Sequence, residues 1–140
     1  MKLSKAERET VRMKFGGKCA YCGCDLPEKG WHADHVFAVD RRNGKWVKNE
    51  STGFSVYVEI AHLKHPENDR SDNLFPACRA CNIDKQNMAP EDWRKVLEGR
   101  VGVCRRNYSA FRHAERFGLV QEINKSVVFW FEQYAGENNQ

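Results

Sequence analysis

No run of apolar residues in this 140-residue chain approaches the roughly 20 needed to cross a bilayer as a helix. The opening stretch, MKLSKAERET, is charged within its first turns and lacks an apolar h-region, so no secretory signal is expected. Internal repeats of solenoid length are missing, and no low-complexity segment precedes the polar last few residues. The net charge of +4 is too small to specify a polyanionic partner by itself. These absences lead to the expectation of a cytoplasmic chain with no membrane partner. In a reducing cytosol its six cysteines read as thiols or metal ligands rather than disulfides.

What is present suits a globular fold. Apolar residues make up 41% and charged residues 30%, ordinary values for a soluble domain, and the length fits a single domain over 1–140 with one modest core. Charge is unevenly placed. Residues 1–48 carry 11 basic and 6 acidic groups and residues 79–106 carry 7 and 4, whereas 49–78 carry 2 and 5. The two basic blocks also hold the paired cysteines. If those pairs meet in space the basic segments converge, which suits a polyanion; two solvated faces fit the same charges.

Ser4 followed by Glu7 is a capping-box signature, and the pattern predicts a helix over 5–15 closed by Gly16 and Gly17. CAYCGCDLPEKG then reads as a tight turn and WHADHVFAV as a strand. Residues 40–72 read as an insertion between two halves of one site, with Asn43-Gly44 at a hairpin tip and FSVYVEIAHL as a short strand or helical turn. A short strand over 73–75 precedes a helix after Cys78. A C-terminal helical extension over 89–140 includes a helix from Pro90 to near Gly99 and another ending at Gly118, and SVVFWFEQY is expected to form a final strand.

The cysteines carry the strongest chemical signal. Cys19-Ala-Tyr-Cys22 and Cys78-Arg-Ala-Cys81 share a C-x-x-C spacing, which lets a tight knuckle direct two sulfurs at one ion. Two knuckles complete the tetrahedral thiolate shell that structural Zn²⁺ prefers. A redox pair would sit on a thioredoxin-like pattern, which is missing. Cys24 and Cys104 lack partners at ligand spacing and read as small apolar residues, with Cys24 close enough to rival Cys22.

CAYCG, then ADHV, then NLFPACRACNIDK resembles the zinc-clamped form of the HNH endonucleases, also called ββα-metal nucleases. The resemblance covers residues 19–85, with four elements in the family's order. The proline that often follows Asp-His is not at its usual place, where Phe37 or Ala38 stands. The resemblance implies an α+β fold: a ββα-metal finger with a structural zinc site of four cysteines, flanked by N- and C-terminal helices and a short C-terminal strand. It implies His35 as general base, Asp34 and Asn82 as ligands of a catalytic Mg²⁺ or Mn²⁺, and Asn73 as the tie of the hairpin loop. It also implies DNA as substrate and 5′-phosphate and 3′-hydroxyl products. A homodimer would cut both strands and a monomer would nick. Small proteins of this kind are common in bacteriophages and bacteria, which would place a phage-encoded one in the bacterial host cytoplasm.

The residue types suit that chemistry. A neutral imidazole can take a proton from water near neutral pH, and two oxygen donors leave most of an octahedral shell to water and phosphate. Because adjacent strand residues face opposite ways, Asp34 and His35 are expected at a strand end. Lys85, one turn after Asn82, reads either as a phosphate contact or as an exposed helix lysine. Arg41, Arg42, Lys45 and Lys48 with Trp46 read as contacts to the DNA backbone or as a solvated tip. His32 reads as a neighbour of the site or as an exposed residue, and Trp93 and the Phe129-Trp130-Phe131 run as core. The alternative function is a zinc-stabilised nucleic-acid-binding module without cleavage; a purely structural zinc protein would show no salt-sensitive DNA affinity.

Overall fold

The Ser4 hydroxyl accepts from the Glu7 N–H at 3.2 Å while the Glu7 carboxylate accepts from the Ser4 N–H at 2.8 Å. Two helix-start donors are thereby satisfied reciprocally. In the computed structural model, which describes residues 1–41 and 43–137, this cap opens helix α1, Lys5–Met13. Gly16 and Gly17, both at positive φ, then turn the chain into the first cysteine pair.

Among the described residues the fold mixes six α-helices with two small antiparallel sheets, consistent with an α+β class. Strand β1 (His32–His35) pairs with β4 (Leu74–Ala77), placing Asp34 opposite Phe75 and His35 opposite Leu74. Between them β2 (Asn43–Lys48) and β3 (Ser55–Ala61) form a separate ribbon, followed by two 3₁₀ turns at Pro66–Asn68 and Ser71–Asn73. Helix α2 (Arg79–Lys85) begins directly after β4, capped by the Cys78 sulfur, and packs on β1. Helices α3 (Pro90–Glu98), α4 (Arg100–Asn107), α5 (Ser109–Arg116) and α6 (Trp130–Glu137) complete the order. No described helix is long and apolar enough to cross a membrane.

The core gathers apolar side chains from distant parts of the chain, among them Val11, Tyr21, Trp31, Leu74, Trp93 and Phe129. Its centre is aromatic. Tyr21 meets Trp93 edge-on with ring centroids 5.2 Å apart, and Trp93 stacks on Phe129 at 5.5 Å. The knuckle is tied down on both sides: Ala20 N–H donates to Pro76 O at 2.8 Å, and Trp130 and Phe131 N–H groups donate to Tyr21 O and Ala20 O. The first cysteine pair is therefore held between β4 and the C-terminal segment.

That fastening corrects one expectation. The Val- and aromatic-rich stretch near 126–134 does not form a final strand; it approaches the core without a ladder and enters α6 at Trp130. Its backbone donors go to the knuckle carbonyls, from Trp130 and Phe131, and to the Glu98 and Glu132 carboxylates, from Val127 and Phe129, instead of to a neighbouring strand, and its apolar density serves core packing. A second correction concerns the ribbon. Asn43-Gly44 is not its tip but lies at a bulge in β2, where a Cβ on residue 44 would stand 2.3 Å from Val58 O. The glycine permits close approach of the two backbones. The chain reverses at Asn49–Gly53, where the Asn49 side chain accepts from the Ser51 and Thr52 N–H groups. Helix α4, which sequence periodicity did not mark, continues from α3 across Gly99 in a helical conformation.

Trp93 is only 2% exposed and its indole N–H donates to Asp84 at 2.8 Å. Trp93→Ala is expected to destabilise the protein by about 3–5 kcal/mol, from lost burial and the cavity left behind. Urea unfolding of the two proteins measures this; a loss below about 1 kcal/mol would show that the aromatic cluster is not the core.

Candidate active site and metal centre

The knuckle at 19–22 and the start of α2 bring four sulfurs together. The Sγ atoms of Cys19, Cys22, Cys78 and Cys81 lie within 4.8 Å of one another, with Cys22 and Cys78 at 3.9 Å. A tetrahedral zinc site with Zn–S bonds near 2.3 Å separates its sulfurs by about 3.8 Å, so the four could hold such an ion. The local electrostatics point the same way. Hydrogen bonding from Cys81 and from the surrounding backbone pulls the Cys19 thiol down to about 4. The Cys81 thiol is pushed up by its hydrogen bond to that thiolate and by burial, and the Cys22 thiol is pushed up by burial first. Four sulfurs so close do not all ionise unless a cation lies among them. Gly23, at φ +76°, closes the knuckle against the Trp130 ring, which a Cβ would meet at 3.3 Å. Cys104 stands outside the cluster, whereas Cys24 lies beside it, its thiol pushed up to about 12 by burial and by the neighbouring Cys22 and Cys78 sulfurs.

Next to this centre, β1 and α2 form the walls of a cleft of about 520 Å³. His32, Asp34, His35, Arg41 and Asn82 line it, so the sequence candidates at 34, 35 and 82 share one cavity. Strand β1 ends at His35, and the loop beyond is held by Asn73. The Asn73 side chain accepts from Phe37 N–H at 3.0 Å and donates to the Phe37 and Asn68 carbonyls at 2.8 Å each. Asn73 does not line the cleft; it buttresses the turn behind it.

Asp34 is 7% exposed, and both of its donors converge on one oxygen. The Tyr21 hydroxyl donates to Oδ2 at 2.5 Å, and the Lys85 ammonium lies 3.0 Å from the same atom. Burial and the adjacent Asp34 charge push the Tyr21 phenol far above its usual value, so it remains a donor. No described residue bonds Oδ1, and no buried side-chain oxygen is without a partner, so Oδ1 retains contact with solvent. The carboxylate is thus divided, one oxygen held by the core and the other available to a ligand in the cleft.

Lys85 requires a correction. It is fully buried, at 0% exposure, with its ammonium on Asp34 and donating to His35 O at 3.1 Å. It is neither an exposed helix lysine nor a phosphate contact. The side chain points inward because α2 packs its last turn on the end of β1. His35 Nε2 lies 3.0 Å from Asp69 Oδ1, in the loop between the two 3₁₀ turns. Hydrogen bonds from the Met1 amino group and then from His35 hold the Asp69 carboxyl below its usual range. Sequence reasoning passed over Asp69 because nothing in HPENDRSDN distinguishes it from a solvated loop acid.

The expected DNA contacts separate in space. Arg41 lines the cleft, whereas Lys45 and Lys48 lie on β2, outside its lining. Three residues apart on a strand, they face opposite ways. Trp46 is exposed and sits across from Tyr57, with ring centroids 5.6 Å apart. Arg42 lies outside the described residues.

Removing the Lys85 charge strands a buried carboxylate. Lys85→Met is expected to lower stability by about 3–5 kcal/mol, read as a fall in the urea midpoint. A midpoint equal to wild type would show that the Asp34–Lys85 pair is not formed in solution.

No family model matches the chain, and no solved structure matches it. Over 79 residues, 56% of its length, it is 27% identical to the Bacillus subtilis (strain 168) protein named "SPbeta prophage-derived putative HNH endonuclease YoqL". The match takes in 27% of that protein, so the chain spans about a quarter of the curated relative it resembles.

Proposed function

We propose that this chain is a metal-dependent DNA endonuclease of the HNH, or ββα-metal, type, with residues 19–85 as the working core of one domain. The observation that carries the proposal is the single cleft lined by His35, Asp34 and Asn82, beside a four-cysteine centre. The distant likeness to a protein named as an HNH endonuclease supports it.

Asp34 Oδ1 and the Asn82 amide oxygen are hard donors suited to Mg²⁺ or Mn²⁺, leaving most of the coordination shell to water and phosphate. Such an ion would stabilise the charge that develops on the phosphate during hydrolysis. His35 takes the proton of the attacking water. With Nε2 donating to Asp69, Nδ1 carries the free lone pair, and the carboxylate stabilises the imidazolium that forms. Asp69 is therefore a positioning residue. Lys85 is another: it holds Asp34 Oδ2 and the His35 carbonyl together, fixing the strand end from which ligand and base project. Asn73 holds the following loop. Water adds to phosphorus as the P–O3′ bond breaks, and the departing 3′ oxygen takes a proton from solvent, yielding 5′-phosphate and 3′-hydroxyl ends. The four cysteines would hold a structural zinc ion, and of the expected DNA contacts Arg41 is one that lines the cleft.

One observation favours a second reading. The Lys85 ammonium partly neutralises Asp34, the carboxylate assigned to the catalytic ion, which suits a zinc-stabilised nucleic-acid-binding module without cleavage. Supercoiled plasmid separates the two. The enzyme converts it to open-circle or linear form with Mg²⁺ or Mn²⁺, EDTA stops the reaction, and excess Mg²⁺ restores it. DNA retention on a gel with no cutting under any divalent ion would establish the binding module instead.

His35→Ala is expected to fold, keep its zinc and lose about 10²–10⁴-fold in cleavage rate. A variant that cuts at the wild-type rate would remove His35 from the mechanism. Purified protein should contain about one zinc per chain, bound by four thiolates. Cys81→Ala should lose the metal and the cooperative unfolding transition together, as metal analysis and circular dichroism would report. Full folding without metal would make the cluster an ordinary set of thiols.

A further inference from the structure

A second cleft, of about 370 Å³, lies against β1 and shares His32, Ala33, His35 and Arg41 with the first. Their linings differ in charge. The first includes Asp34 and Asp40; the second has no carboxylate, and Lys2, Arg8 and Arg41 converge on it beside the two histidines. From its chemistry and position we infer that this second cleft is an anion subsite for a polynucleotide phosphate adjacent to the one being cut. The identity of the anion rests on the nuclease reading; the subsite itself rests on the cleft.

Three features make it a built site rather than a scatter of surface charge. Arg8 is held in place: its guanidinium stacks 4.3 Å from the Trp31 ring and donates to Trp31 O at 2.8 Å. A guanidinium fixed in this way keeps further N–H donors for an oxyanion. Next, Arg8 and Arg41 pair with no carboxylate among the described residues, unlike Arg12 on the same helix as Arg8, so the charge of both is open to an anion in the cleft they share. Asp69, which touches two residues of the lining, is engaged by them both, His35 and the Met1 amino group. Finally, His35 and Arg41 belong to both clefts, so a chain of phosphates crossing β1 would pass the catalytic imidazole between a cation-binding side and an anion-binding side. Phosphate contacts of this kind set the register of a strand without reading its sequence.

The test is binding of a short labelled duplex with no added divalent ion, titrated across salt concentrations. Each phosphate contact contributes about 0.9 to the slope of log affinity against log salt. Arg8→Gln and Arg41→Gln should each make the slope shallower by about one and weaken low-salt binding by roughly 3–10-fold. Arg106→Gln, exposed on α4 away from the cleft, should bind as wild type. Arg41 has no side-chain hydrogen bond among the described residues, so its variant carries the test if losing the Arg8–Trp31 contact unfolds the protein. Wild-type slopes for the Arg8 and Arg41 variants, or an equal loss for Arg106→Gln, would overturn the subsite. A shallower slope for both cleft variants in a protein that never cuts plasmid would leave the subsite standing while the nuclease reading fell.

Discussion

Four sulfurs drawn from residues 19–22 and 78–81 lie within 4.8 Å of one another, and the rest of the architecture depends on that convergence. Bringing together segments some 55 residues apart costs about 3–4 kcal/mol of loop-closure entropy. A thiolate-bound zinc ion, contributing about 10–16 kcal/mol in small zinc domains, would exceed that cost severalfold. Once the two segments meet, Ala20 can donate to Pro76, β1 can pair with β4, and α2 starts directly from the second cysteine pair. The C-terminal segment then covers the knuckle, with Phe129 stacked on Trp93 and the Trp130 and Phe131 N–H groups on the knuckle carbonyls.

The end of β1 concentrates the polar interactions. Asp34 faces α2 and the core through Oδ2, and His35 reaches Asp69 through Nε2. Lys85 spans both residues, one by side chain and one by backbone. A lysine with no solvent contact is tolerable because its ammonium has a carboxylate and a carbonyl within 3.1 Å. The same arrangement gives β1 two unlike flanks, an oxygen-donor cleft on one and a basic cleft on the other. The proposed phosphodiester substrate would need such asymmetry: positive charge on its oxygens and a base aligned with the attacking water.

Local signals were legible where the physics is local. The Ser4–Glu7 capping box, the proline at the start of α3 and the paired C-x-x-C spacings all act within a few residues, and each element lies where its pattern placed it. Signals that depend on a neighbour misled. The aromatic density near Phe129–Phe131 resembles a strand because a buried segment and a strand need the same side chains; whether a partner edge is available decides between them. Asn43-Gly44 resembles a turn because glycine serves equally for a reversed φ and for close approach of backbones, and here it serves the second.

By itself the sequence determined the spacing of the paired cysteines, the starts of α1, α2 and α3, and the Asp-His pair at a strand end, because each is a property of a few consecutive residues. Only the tertiary structure decided which charges would be buried and which left open. Lys85 turned inward, Asp69 came to His35 across the hairpin loop, and Arg8 and Arg41 met on the far side of β1. The physical reason is that desolvation and ion pairing depend on what stands opposite a side chain in space, and neighbours in space are set by the fold and not by order along the chain.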